Sequence, residues 1–221
     1  HEIRAPLNSI SGFADVLATD GIDNEMRREA ADIIEMNSNM LHNLIDDVVS
    51  SSCADLRDMK FRIAPCDVVK LSRNVTEMIS KIKKTDAEMS FESDCSDLMV
   101  MVDPLRLQQV MVNVLVNATK FCKQGSIVMK VESEDSGARI SVTDTGIGIP
   151  PEKQASVFGR YERVGETAEG FGLGLSICKF IIERMGGKIW VDGSYTGGAR
   201  FVFTAPFESP LQDESQEGGA V

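Results

Sequence analysis

The sequence predicts an α+β chain in two parts, a helical hairpin over residues 1–60 and a mixed strand-and-helix domain over residues 61–207. Three observations predict it. The first 60 residues hold few glycines and place apolar side chains at alternating steps of three and four, the period of packed helices. Near Phe61 this gives way to short segments of strand and helix period, separated by turn residues. Further on, a strand end runs into Asp144-Thr-Gly-Ile-Gly-Ile-Pro150, where Gly146 and Gly148 let the backbone bend sharply and lie close to a flat ligand.

With 221 residues, 43 % hydrophobic and 26 % charged, the chain has enough apolar content for one large or two modest domains. A net charge of −11 argues against a general nucleic-acid or membrane-surface binder, whose phosphate contacts need a basic face. No run approaches the roughly 18 apolar residues that span a bilayer, and no secretory leader is present, so this fragment is expected to be soluble and to make no direct membrane contact. Cys53, Cys66, Cys95, Cys122 and Cys178 are odd in number, widely spaced and without a CxxC pair. Neither a disulfide framework nor a zinc site follows, and a reducing cytoplasm fits best.

In the first helix Ile3, Leu7, Ile10, Ala14 and Leu17 form a heptad seam; in the second, Ala30, Ile34, Asn37, Leu41, Leu44 and Val48 do the same. Asp20-Gly21 and Asp23-Asn24 break the pattern between them, which predicts a hairpin. Two helices alone have too little core. Pairing with a second copy into a four-helix bundle gives each seam a partner, so a homodimer is expected, with the polar Asn37 helping to fix register. The competing arrangement packs the hairpin on the rest of the chain. His1 falls off the apolar stripe, and Ala5, one turn later, lies on the same outer face. The imidazole should therefore face solvent, with Glu2 next to it and a bend following at Pro6. By position alone it is an ordinary surface histidine.

From Phe61 the order is a strand over 61–64, a helix from a cap at Asp67 to about Lys84, strands over 88–92 and 98–102, and a helix opened by Asp103-Pro104. That helix has an apolar face of Leu107, Val110, Met111, Val114, Leu115, Ala118 and Phe121. Opposite it, Arg106, Gln109, Asn113, Asn117 and Lys120 line one stripe for about four turns. A solvated face is the usual explanation. Yet Asn is a poor helix-interior residue, and two of them one turn apart beside a Lys suit a ligand face. Asn117 offers a neutral oxygen for Mg²⁺, and Lys120 a point charge for phosphate.

Strands over 126–133 and 138–143 lead to Asp144, a carboxylate set beside bare peptide that suits the exocyclic amine of a heterocycle, although an ordinary Asp-Gly turn would read the same. A short helix over 151–157 precedes the polar stretch 159–169, a candidate lid with too little apolar content for core. Gly170-Phe-Gly-Leu-Gly174 then opens a helix over 175–185 that ends at Gly186-Gly187, a cradle for phosphates or simply close helix packing. Strands over 188–192 and 200–205 form a hairpin around Tyr195-Thr-Gly-Gly198, and the acidic stretch 208–221 reads as a disordered tail or linker.

Taken in order, HEIRAPLNSI, RLQQVMVNVLVNATKF, DTGIGIP, VFGRYERV and GFGLGLSI resemble the H, N, G1, F and G2 boxes of the sensor histidine kinases of two-component signalling. The resemblance covers about residues 1–206. It implies a phosphotransfer and dimerisation hairpin followed by an α/β sandwich, a mixed sheet backed by three helices, of the type shared with gyrases, a heat-shock chaperone family and mismatch-repair ATPases. His1 would be the phosphoacceptor, with Glu2 accepting its other ring proton. Asn117 would ligate Mg²⁺, Asn113 would support that site, and Lys120 would hold phosphate. Asp144 would accept from the adenine amine of ATP, with Gly146 and Gly148 admitting the base. Arg163 would reach the γ-phosphate from the lid, and Gly170, Gly172 and Gly174 would line the triphosphate. The implied partner is the receiver domain of a response regulator, whose aspartate takes the phosphoryl group. The implied location is the cytoplasm, any membrane anchor lying in a sensor region before His1.

The hydrolases of this fold carry a water-activating Glu where this chain has Asn113, which favours the kinase. Two departures count the other way: Ala5 stands where the family usually has Thr or Asn to orient water for dephosphorylating the regulator, and the chain begins at the histidine. The alternative is therefore an ATP-binding, dimeric interaction module without phosphotransfer.

Overall fold

The structure, a computed structural model, describes residues 4–19, 21–35, 37, 38, 59–159, 174–208, 210 and 211. The chain divides into two compact units, His1–Asp58 and Met59–Val221. Among the described residues no helix is long and apolar enough to cross a membrane.

In the first unit α1 spans Arg4–Leu17, and α2 is helical over residues 24–35. Asp23 caps α2, its carboxylate accepting from Met26 N–H at 2.7 Å. Ala30 and Asn37 are buried, and the Asn37 NH₂ group donates within its own helix to the Ile33 carbonyl at 2.8 Å. Along the described part of the α1 seam Leu7 is 50 % exposed and Ala14 lies open, while Ile10 and Leu17 are half-buried. The stretch after residue 38 lies outside the described residues, as does the remainder of the second seam.

The second unit is a two-layer α/β sandwich. Its elements are β1 (Ala64–Asp67), α3 (Val68–Ile82), β2 (Glu88–Ser93), β3 (Met99–Val102), α4 (Pro104–Phe121), β4 (Ser126–Glu134), β5 (Gly137–Asp144), α5 (Pro151–Gln154), α6 (Gly174–Arg184), β6 (Ile189–Val191) and β7 (Ala199–Pro206). Five strands run in the order β2-β4-β5-β7-β6, with β2 parallel to β4 and every other pair antiparallel, so the sheet is mixed. Strand periodicity sends Ile127, Met129 and Val131 of β4, Ile140 and Val142 of β5, and Phe201 and Phe203 of β7 to one face. There they join the buried faces of α3, α4 and α6 in one core.

The first strand lies later than the sequence suggests. Pairing with β3 sets Ala64 opposite Val102 and Asp67 opposite Met99, so the strand runs over 64–67, and Phe61 and Ile63 enter the core from irregular chain. Pro65 is tolerated because this pair is a separate two-stranded ribbon with open edges. The short helix after Pro150 also stops early, at Gln154.

Both long helices begin where the caps predict. The Asp67 carboxylate accepts from the N–H groups of Val69 and Lys70. Asp103 does more: Oδ1 takes Leu105 and Arg106 N–H at 3.0 and 3.1 Å, while Oδ2 takes Arg62 N–H at 2.8 Å. It therefore caps α4 and fastens the chain entering the unit. Asp103→Ala is expected to lower stability by about 2 kcal/mol, measured as a shift in the urea midpoint at unchanged slope. A loss no larger than that of an exposed α4 residue would rule out this double role.

Candidate nucleotide site

The polar stripe of α4 divides in the structure. At its N-terminal end Arg106 donates to Gln109 Oε1 at 3.1 Å, and Gln109 is buried, so this end is closed on itself. Asn113 and Asn117 are half-buried, and Lys120 in the last turn is exposed. Asn113 lies against the start of α6: a Cβ on Gly174 would stand 3.7 Å from its Nδ2 and 3.9 Å from its Oδ1. That is ordinary contact, so Gly174 supplies proximity rather than relief from a clash. The middle of the stripe thus meets the helix that the glycine-rich stretch leads into.

The C-terminal end of α4 carries the second part of the site. Ile147 N–H donates to the Phe121 carbonyl at 3.4 Å, and a Cβ on Gly146 would come within 2.5 Å of that same oxygen. The turn after β5 therefore rests directly on the last turn of α4, one turn beyond Asn117 and beside Lys120. Thr145 ties the turn to β4 as well, its Oγ1 accepting from Ser126 N–H at 2.9 Å. Gly148, at φ +71, adopts the left-handed backbone that favours glycine and abuts Gly198. The glycines of this stretch thus have a reason inside the protein: two close backbone contacts hold the turn in shape.

Asp144 is 2 % exposed. Both of its backbone partners, Gly146 N–H at 2.8 Å and Ala199 N–H at 3.4 Å, bond to Oδ1, and Oδ2 carries neither of these bonds. Burial pushes the carboxyl above the ordinary range, and the two N–H groups partly oppose that shift. Beside this buried acid Ile147 is 74 % exposed, an apolar side chain at the surface of the turn. A carboxylate with a directed oxygen next to exposed apolar surface suits the amine edge and ring face of a purine. A Mg²⁺ ion accompanying a nucleotide needs only one or two protein oxygens besides phosphate and water, and the half-buried amide of Asn117 fits that demand.

Of the residues singled out from sequence, Asn113, Asn117, Lys120, Asp144, Gly146, Gly148 and Gly174 lie on these adjoining elements. His1, Glu2, Arg163, Gly170 and Gly172 lie outside the described residues. The foot of the candidate lid is Phe158, buried edge-on against Phe201 at 6.2 Å. Sequence reasoning missed Gly198 and Ala199, which build the far wall of the Asp144 turn. Gly197-Gly198 signalled a hairpin turn, but nothing local linked Gly198 and Ala199 to a carboxylate 54 and 55 residues away.

Residues 1–56 match the His Kinase A (phospho-acceptor) domain family, and residues 102–209 match the histidine kinase-, DNA gyrase B-, and HSP90-like ATPase family. The sensor histidine kinase WalK of Bacillus subtilis is 28 % identical over 225 residues, which cover 98 % of this chain and 37 % of that protein. The chain thus spans well under half the length of this curated relative. Among solved structures, full-length ShkA, in complex with AMPPNP, is 30 % identical with a TM-score of 0.67, over 96 % of this chain and 45 % of that one. The nucleotide-free catalytic domain of the histidine kinase ThkA is 34 % identical with a TM-score of 0.59, over 67 % of this chain and 99 % of that one. ThkA has also been solved with the response regulator protein TrrA, at 29 % identity and a TM-score of 0.62, over 94 % of this chain and 59 % of that one. With both domain families matched in order and a solved catalytic domain covered almost completely, the chain belongs to the sensor histidine kinases of two-component signal transduction.

Proposed function

We propose that this chain is an ATP-dependent protein histidine kinase that phosphorylates His1 and passes the phosphoryl group to an aspartate of a response regulator. The observation that carries the reading is the Asp144 turn seated on the last turn of α4, which sets a buried carboxylate beside the Asn117 and Lys120 end of the polar stripe. Residues 1–60 serve as the dimerising phosphoacceptor hairpin, 61–207 as the catalytic ATP-binding domain, and 208–221 as a tail or linker. The half-exposed Leu7 in the α1 seam supports a homodimer, since a second copy would cover it. The relative solved with a response regulator supports a receiver domain as partner. The reaction belongs in the cytoplasm, where ATP is supplied, and calls for neither nucleic acid nor membrane contact.

In the proposed reaction Asp144 accepts from the adenine amine while Gly146 and Gly148 keep the turn in shape beneath the base. Lys120 and the N–H groups of the Gly170, Gly172 and Gly174 stretch neutralise phosphate charge, and Asn113 supports Asn117 from one turn earlier. Mg²⁺, when bound through Asn117, neutralises charge on the phosphates. Arg163 approaches the γ-phosphate from the lid. A ring nitrogen of His1 attacks the γ-phosphorus; an N–P bond forms, the bond to the ADP oxygen breaks, and Glu2 accepts the proton on the other nitrogen. The regulator's carboxylate then displaces the histidine, an O–P bond replacing the N–P bond.

Incubation with γ-labelled Mg-ATP is expected to leave acid-labile, alkali-stable label on the protein, with at least about a hundredfold less on Asn117→Ala. Nucleotide binding without such label would return the chain to a dimeric binding module.

A further inference from the structure

Asn113 is held from an unexpected side. Cys178, in the second turn of α6, is fully buried, and its Sγ lies 3.7 Å from Asn113 Nδ2. The same sulfur lies 4.0 Å from the carbonyl oxygen of Val110, three residues before Asn113 on α4. The two edges of a side-chain amide are not equivalent: the NH₂ edge only donates, and the carbonyl edge only accepts. A thiol whose hydrogen points to a backbone carbonyl has only sulfur lone pairs to offer in other directions, and those can meet only the NH₂ edge. The cysteine therefore selects one of the two amide orientations.

We propose that Cys178 is a positioning residue for the nucleotide site, taking the NH₂ edge of Asn113 and so leaving Oδ1 as the edge free to serve the stripe shared with Asn117. An acceptor edge there supports a cation or its water, whereas the NH₂ edge would oppose one. The inference rests on the reading of this stripe as the Mg-ATP site. It assigns a role to a cysteine that motif reasoning treated only as a redox indicator.

The test measures the affinity of a fluorescent ATP analogue with Mg²⁺ and in EDTA for the wild type, Cys178→Val, Cys178→Ala and Cys178→Ser. Valine and alanine remove the acceptor and are expected to lower the Mg²⁺-dependent part of the affinity about two- to fivefold, with the EDTA value unchanged. Serine keeps a group that both donates and accepts, and is expected to recover most of the loss. Equal losses with and without Mg²⁺ would mark a packing fault and overturn the inference, as would unchanged Mg²⁺ dependence in both apolar variants. Should valine prevent folding, as judged by thermal melting, alanine against serine makes the same decision. A wild type that binds no analogue in either condition removes the reading of the site, and this inference with it; binding without a Cys178 effect removes the inference alone.

Discussion

Gly198→Ala is expected to lower the stability of the second unit by about 2–4 kcal/mol and to weaken ATP binding at least tenfold. A Cβ at this position would run into the Asp144 carbonyl oxygen and stand 2.9 Å from the amide nitrogen of Gly146. Both obstacles are backbone, so neither can rotate away. Relief requires β7 and the end of β5 to separate where Ala199 pairs with Asp144, and this removes the Ala199 N–H from the carboxylate. Thermal melting and nucleotide titration read the two effects. Wild-type values in both would show that the turn yields more easily than this packing implies.

Asp144→Asn should separate binding from folding. The asparagine carbonyl can keep Gly146 N–H and Ala199 N–H, which leaves its NH₂ group in place of Oδ2, facing the adenine amine donor to donor. ATP affinity is expected to fall about 10- to 100-fold, while melting temperature at neutral pH is held or raised, because a buried charge has been removed. The wild type carries a related pH signature. Burial raises the Asp144 pKa on folding, so the ionised carboxylate costs stability above that raised value, and the cost is relieved as pH falls through it. Binding runs in the opposite sense: the amine needs the ionised form, so affinity is present above the raised pKa and lost below it. ATP affinity should therefore start to fall at a higher pH than an ordinary aspartate would give, and in Asp144→Asn this dependence should be absent. A variant that binds ATP as well as the wild type would remove Asp144 from the site.

Much of the fold was legible because it is written in local chemistry. Asp67 and Asp103-Pro104 announced their helices, since a cap needs only its own carboxylate and the next turn of backbone. The apolar face of α4 followed from a period of 3.6 and is the face the core takes up, apart from the partly exposed Phe121. The first strand was misplaced because Phe61 and Ile63 look like strand residues, whereas strand identity depends on hydrogen bonding to a partner, here β3.

The site shows the same division. Spacing alone put Asn113, Asn117 and Lys120 on one stripe and Asp144 at the head of a glycine turn, because helix and strand periods are local properties. Only tertiary structure decided that Gln109 is closed off by Arg106, that Gly146 is a glycine because the Phe121 carbonyl leaves no room for a Cβ, and that Asn113 meets Cys178. It also decided that Ala199 and Gly198, far along the chain, complete the setting of Asp144. Those facts depend on strand register and helix packing, which join residues distant in sequence through close contact, and no pattern within a single element encodes them.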